Sequence, residues 1–189
     1  MQGTRKFLFT PSLPLWRYCL LAWPIALVPS VALVAGAYSL LALAGANMAE
    51  LGPPERSTTL AAVLGTVVFA PVVETLALAA LLRLLSSLSE NATLVAAASA
   101  VVWGCLHALF GALWFFGTVW SFFVFSCAYL AWRKASFRQA LVAACVPHAL
   151  VNLTSVALLF AIQALNPSIE QTGTGLLVPV CSCLTLAVH

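Results

Sequence analysis

Four side chains in this 189-residue sequence carry the functional groups of a reactive site, and each stands inside an apolar run: Glu74, His107, His148 and Asn152. An ionisable group at the centre of a bilayer costs about 3 kcal/mol on insertion scales and usually faces the bundle interior. A carboxylate can take a proton from water, with imidazole assisting. Imidazole and carboxamide N–H groups can hold a developing oxyanion. One glutamate and two histidines could equally ligate a divalent ion, so metal involvement is left open at this stage. Asn152 follows His148 by four residues, which places both on one helix face, and the same spacing sets Trp103 beside His107.

The elements that must position these groups follow from composition. Hydrophobic residues make up 63% of the chain and charged residues only 7%, against about a quarter charged in soluble domains. No soluble fold of this size hides so much apolar surface, because much of any globule faces water. The acids are Glu50, Glu55, Glu74, Glu90 and Glu170, with no aspartate. The expected fold is all-α: a polytopic transmembrane helix bundle of five to six spans forming a single membrane-embedded domain over residues 1–189.

Charged residues cut the chain into stretches close to the roughly 20 residues that a membrane helix needs. The run between Arg17 and Glu50 reads as one long span kinked by Pro24 and Pro29. The run between Arg56 and Arg83 reads as the second, with Glu74 inside it and Arg83 at its boundary. From Glu90 to Arg133 the sequence holds two spans, with the turn expected at Phe116-Gly117-Thr118. The fifth runs from Arg138 to Glu170 and carries His148 and Asn152. The tail Gly173–Val188 reads as a sixth span or a partial one. Counting at 1.5 Å per residue, Glu74 and His148 lie roughly 16 Å and His107 roughly 21 Å from the same membrane face, a common level.

Lysines and arginines favour the cytoplasmic side. With the N-terminus inside, Arg5, Lys6, Arg17, Arg83, Arg133, Lys134 and Arg138 fall inside and only Arg56 falls outside. The net charge of +3 is small and dispersed, which argues against nucleic acid as a partner. Cys19, Cys105, Cys127 and Cys145 lie in apolar runs and behave as small hydrophobes. Cys181 and Cys183 are too closely spaced for a zinc site. The apolar run after Tyr18 is too long for a signal peptide. The aromatics Trp114, Phe115, Phe116 and Trp120 read as an interfacial belt.

Two prolines sharpen the site. Pro71 precedes Glu74 by three residues and Pro147 immediately precedes His148. Each removes a donor and releases a carbonyl about one turn earlier. Freed backbone groups persist at membrane depth only where protein or water satisfies them, so a polar cavity is expected at this level. Taken singly, each polar residue could be interhelical glue. A set at one depth favours a site.

The segments Pro71-Val-Val-Glu74, Trp103-Gly-Cys-Leu-His107 and His148-Ala-Leu-Val-Asn152 resemble, in order and spacing, the three signatures of the CPBP family. These are the CAAX-protease and bacteriocin-processing intramembrane enzymes, also called the Abi family. The resemblance covers roughly residues 58–165. It implies a peptide hydrolase in which Glu74 activates water with help from His107, while His148 and Asn152 stabilise the oxyanion. Such a protein would sit in a bacterial inner membrane and take a hydrophobic or lipidated peptide. Members have been described as metalloproteases as well as glutamate proteases. The first family motif usually reads EExxxR; here Thr75 follows Glu74 and Ala79 stands where the arginine would be, a Glu-Thr variant. Two other readings compete: a non-catalytic family member that binds a membrane partner or confers bacteriocin immunity, and a small transporter or proton relay.

Overall fold

The computed structural model describes residues 7–47, 51–52 and 58–165. All regular structure among them is helical. Helix α1 is Leu15–Leu43, α2 Leu60–Leu88, α3 Ala92–Ala108, α4 Trp114–Trp132 and α5 Phe137–Leu165. Four of these are long and apolar enough to cross a membrane, and α3 is a shorter apolar helix. The protein is thus a helical bundle of about five spans. The tail 173–188, read above as a further span, lies outside the described residues.

The helices alternate in direction. One end of the bundle gathers Arg17, Arg83, Arg133, Lys134 and Arg138, and there Arg133 donates to the Ser86 hydroxyl at 2.9 Å. Helix α1 runs unbroken through Pro24 and Pro29, then stops at Gly45, whose φ of 77° is open to glycine without penalty. Asn91 caps α3 by accepting from the Thr93 and Leu94 amides.

Helix α4 is the central pillar. It packs against α1, α3 and α5, and Phe122, Phe125, Cys127 and Ala128 on it are fully covered. Gly104 lets α3 approach α4 closely, since a Cβ there would stand 3.0 Å from the Phe115 ring. Helices this near gain packing energy, the main attraction available between helices in lipid.

The α3–α4 turn is not where the sequence suggested. It falls at residues 109–113, and Phe116, Gly117 and Thr118 lie inside α4. Gly117 and Thr118 are buried on the packing side of the helix. Thr118 returns its hydroxyl to the Trp114 carbonyl at 2.6 Å, so a threonine that resembles turn chemistry is bonded along the helix. The true turn is short and internally bonded, from Phe110 N–H to His107 C=O at 3.0 Å and Trp114 N–H to Gly111 C=O at 2.9 Å. The Leu113 amide reaches the Leu51 carbonyl at 3.1 Å, which draws the α1–α2 connection down over the turn.

Candidate active site

Helix α2 is not regular. Between Leu60–Leu64 and Ala70–Leu88 lies one π-helical segment, Gly65–Phe69, where Ala70 N–H reaches back to Gly65 C=O. In that register the next amide would bond Thr66 C=O, but residue 71 is proline and has no N–H. The orphaned Thr66 carbonyl instead accepts from Asn152 Nδ2 at 2.9 Å. The carbonyl that the sequence said a proline would release is therefore Thr66 C=O, and its partner is the asparagine of α5.

One turn beyond the π segment, Glu74 points inward. Its Oε2 lies 3.8 Å from His107 Nε2 and 3.8 Å from His148 Nε2. Both separations are too long for a direct hydrogen bond. Oε2 is buried and has no hydrogen-bond partner among the described residues. The Glu74 side chain as a whole is 25% exposed and lines the cavity.

Each imidazole is held by its surroundings. His107 Nδ1 donates to the Trp103 carbonyl at 2.8 Å. A carbonyl only accepts, so Nδ1 carries the hydrogen, and in the neutral ring Nε2 turns a lone pair toward Glu74. His148 stacks on Phe125 with centroids 4.8 Å apart. Phe122 touches both histidines, at 5.2 Å from His107 and 5.4 Å from His148. The pillar helix thus fixes both rings through one aromatic wedge.

Glu74, His107, His148 and Asn152 all line one cavity of about 480 Å³, well within the range of small-ligand sites. All four of the sequence-selected residues come together, but Asn152 already spends one amide hydrogen on Thr66. Thr75 and Ala79, the departures from EExxxR, are buried on the packing face rather than in the cavity. Removing both members of a buried ion pair at once is often neutral for stability, and small residues fill that face here.

Trp114 also lines the cavity, edge-on to His107 at 5.9 Å. This corrects the belt reading of the aromatic run. Trp120 donates to the Ile25 carbonyl at 2.8 Å, Phe115 packs on Gly104, and of the four only Phe116 is exposed. Phe122 and Phe125 were not singled out from the sequence. Their spacing of three on an uncharged helix was the available signal, and it reads equally well as ordinary core.

Among the described residues, no group of three or more histidine, cysteine or acidic side chains is placed to hold a metal ion. No protein-family model, curated protein or solved structure matches this chain.

Proposed function

We propose that this protein is an intramembrane peptide hydrolase of the CPBP, or CAAX-protease, type. The observation that carries the reading is the equal 3.8 Å approach of Glu74 Oε2 to two imidazole nitrogens at the floor of one cavity. The ordered motifs of the sequence support it, and so does the fixed tautomer of His107.

The chemistry follows from the groups. The Glu74 carboxylate and His107 Nε2 both accept, so a water entering from the cavity would donate one hydrogen to each and turn its oxygen lone pair outward. That oxygen attacks the carbonyl carbon of the substrate amide while a proton passes to Glu74. The carbonyl electron pair moves to oxygen, where His148 N–H and the second Asn152 N–H stabilise the charge. Collapse of this intermediate breaks the C–N bond, and the proton held by Glu74 leaves with the amine. Water and amide become acid and amine, with no other reactant.

The protein is proposed to reside in a bacterial inner membrane with its N-terminus and basic end cytoplasmic, as the bias of cationic residues favours. Its substrate would be a hydrophobic or lipidated peptide. The reading is tested by comparing peptide ends in membranes containing the native protein or Glu74→Gln. Gln keeps shape and hydrogen-bonding capacity but cannot take the proton. New ends that appear with the native chain and vanish with Glu74→Gln support hydrolysis. Identical ends in both, with both proteins folded, would replace it with the reading of a non-catalytic binding or immunity protein.

A further inference from the structure

The cavity extends as a groove above the Glu74 floor. Ala62, Thr66, Ala70 and Glu74, spaced by four, line it from α2, with Val63 and Gly65 beside them and Thr58 just before the helix. An ordinary helix turns about 40° past alignment at each step of four, so three steps would carry Ala62 about 120° from Glu74. The π segment, with its extra residue in one turn, takes back about 100° of that drift. The reverse face of α2 obeys the same spacing. Leu60, Leu64, Val68, Val72 and Leu76 are all exposed, at 73%, 52%, 55%, 46% and 49%. The π segment thus keeps one straight lining stripe against the cavity and one straight apolar stripe toward lipid.

Helix α5 runs antiparallel to α2 and closes the other side with His148, Asn152, Val156, Leu159 and Phe160. From the level of Glu74 to that of Leu60, where α2 begins, the groove is about 21 Å long. Its mouth lies at the end opposite the basic residues, where Thr58, Phe110 and Phe160 are exposed. Among the described residues, Glu74 is the only acidic side chain lining it, and no lysine or arginine does. The α2 wall is small, and hydroxyls at Thr58 and Thr66 alternate with methyls at Ala62 and Ala70.

We propose that this groove is a substrate track: it admits an uncharged, extended peptide from the membrane face opposite the basic end and delivers it to Glu74. The described lining offers a charge no partner above the floor, which disfavours its entry. At about 3.3 Å per residue the track spans about six residues. The threonine hydroxyls are partners for peptide groups and have nothing to offer a hydrocarbon chain. What happens at the floor rests on the hydrolase reading; what enters rests on the groove.

The test uses the full chain in sealed vesicles, in the Glu74→Gln background so that no turnover is needed. A membrane-impermeant maleimide is applied to either side, and labelling is counted above that of the chain without an added cysteine. Ala70→Cys, one turn above Glu74, should react only from the side that labels Thr58→Cys and not from the side that labels Lys134→Cys. Reaction from the Lys134 side would overturn the entry direction. A capped hexapeptide of alanine and leucine should slow labelling at Ala70→Cys about tenfold. The same peptide with a central lysine or aspartate, and a fatty amide of similar length, should not. Equal protection by the charged peptide or by the fatty amide would overturn the substrate class. Ala62→Trp should abolish protection; should it fail to fold, Ala62→Leu must still weaken protection, and unchanged protection in Ala62→Leu would overturn the track. Intact protection combined with cleavage independent of Glu74 would end the hydrolase reading and leave the groove standing.

Discussion

Helices α4 and α2 are both apolar, yet the molecule uses them in opposite ways. In the most apolar stretch of α4, 67% of residues are buried, against 11% in α2. Helix α4 settles its serine and threonine hydroxyls, Ser121 with Ser30 at 2.8 Å, Ser126 with Ser99 at 3.2 Å, and Thr118 with the Trp114 carbonyl, and leaves a neutral indole N–H, Trp132 Nε1, without a hydrogen-bond partner among the described residues. Helix α2 leaves the Glu74 Oε2 atom without a hydrogen-bond partner among the described residues and carries a π turn next to a proline. In lipid an apolar face loses nothing by staying exposed, so a peripheral helix can hold irregular backbone and a lone carboxylate if a cavity receives them. The pillar supplies rigidity and the peripheral helix supplies chemistry.

That division predicts which substitution harms what. Glu74→Gln should lower turnover by about 10²–10⁴-fold, the scale of a general base, while leaving the melting temperature almost unchanged. Phe122→Ala should act the other way. Phe122 is 2% exposed and touches both histidines, so its loss should cost about 3–5 kcal/mol of stability. Reversible unfolding in mild detergent, read beside peptide cleavage, separates the two effects. If Glu74→Gln destabilises as much as Phe122→Ala, the carboxylate is a packing element and the contrast collapses.

Most of the spans and the site residues were legible because charge is so scarce, whereas which helix is the pillar was not. Arg17, Arg83, Arg133 and Arg138 mark helix ends, since a cation in hydrocarbon is costly, and the same logic picked out Glu74, His107 and His148. Within the uncharged run from Asn91 to Trp132 no such marker exists, and the turn was placed at Gly117 rather than near Gly111. Glycine and threonine signal a turn in water; between helices in lipid they signal close packing. The π segment at Gly65–Phe69 has no composition of its own. Pro71 announced a freed carbonyl, but which carbonyl depended on the wider turn, and which donor met it depended on the packing of α5. The tryptophan facing the cavity was hidden for a similar reason, since aromatics mark the membrane interface and cavity walls alike.

A smaller effect belongs to the junction of the two regions. Asn152→Ala removes the donor to Thr66 C=O and should cost about 1–3 kcal/mol, the penalty for a buried acceptor left unpaired. The damage should be local: hydrogen exchange should quicken across residues 60–70 while the amides of α4 stay protected. Asn152→Asp places an acceptor against an acceptor and should be no better than alanine. Uniform loss of protection in both helices would show that α2 and α4 unfold as one unit.

The smallest effect tests what holds the pillar itself. Ser30 and Ser121 are buried and share a hydrogen bond of 2.8 Å. It is tempting to credit such a bond heavily in a dry interior. The competing state is a separated helix in the same membrane, where each serine can bond its own backbone carbonyl one turn earlier. Only the difference counts, and double-mutant cycles between membrane helices average about 0.6 kcal/mol. The cycle of Ser30→Ala, Ser121→Ala and the double variant should therefore give a coupling near that value, with the same expected for Ser99 and Ser126. Both measurements read the α4 interfaces without touching Glu74, so turnover should be unchanged. A coupling above about 2 kcal/mol would exceed the range found for such pairs. It would mean that α4 is held by its polar pairs, and that the difference between α4 and α2 lies in satisfied hydrogen bonds more than in buried area.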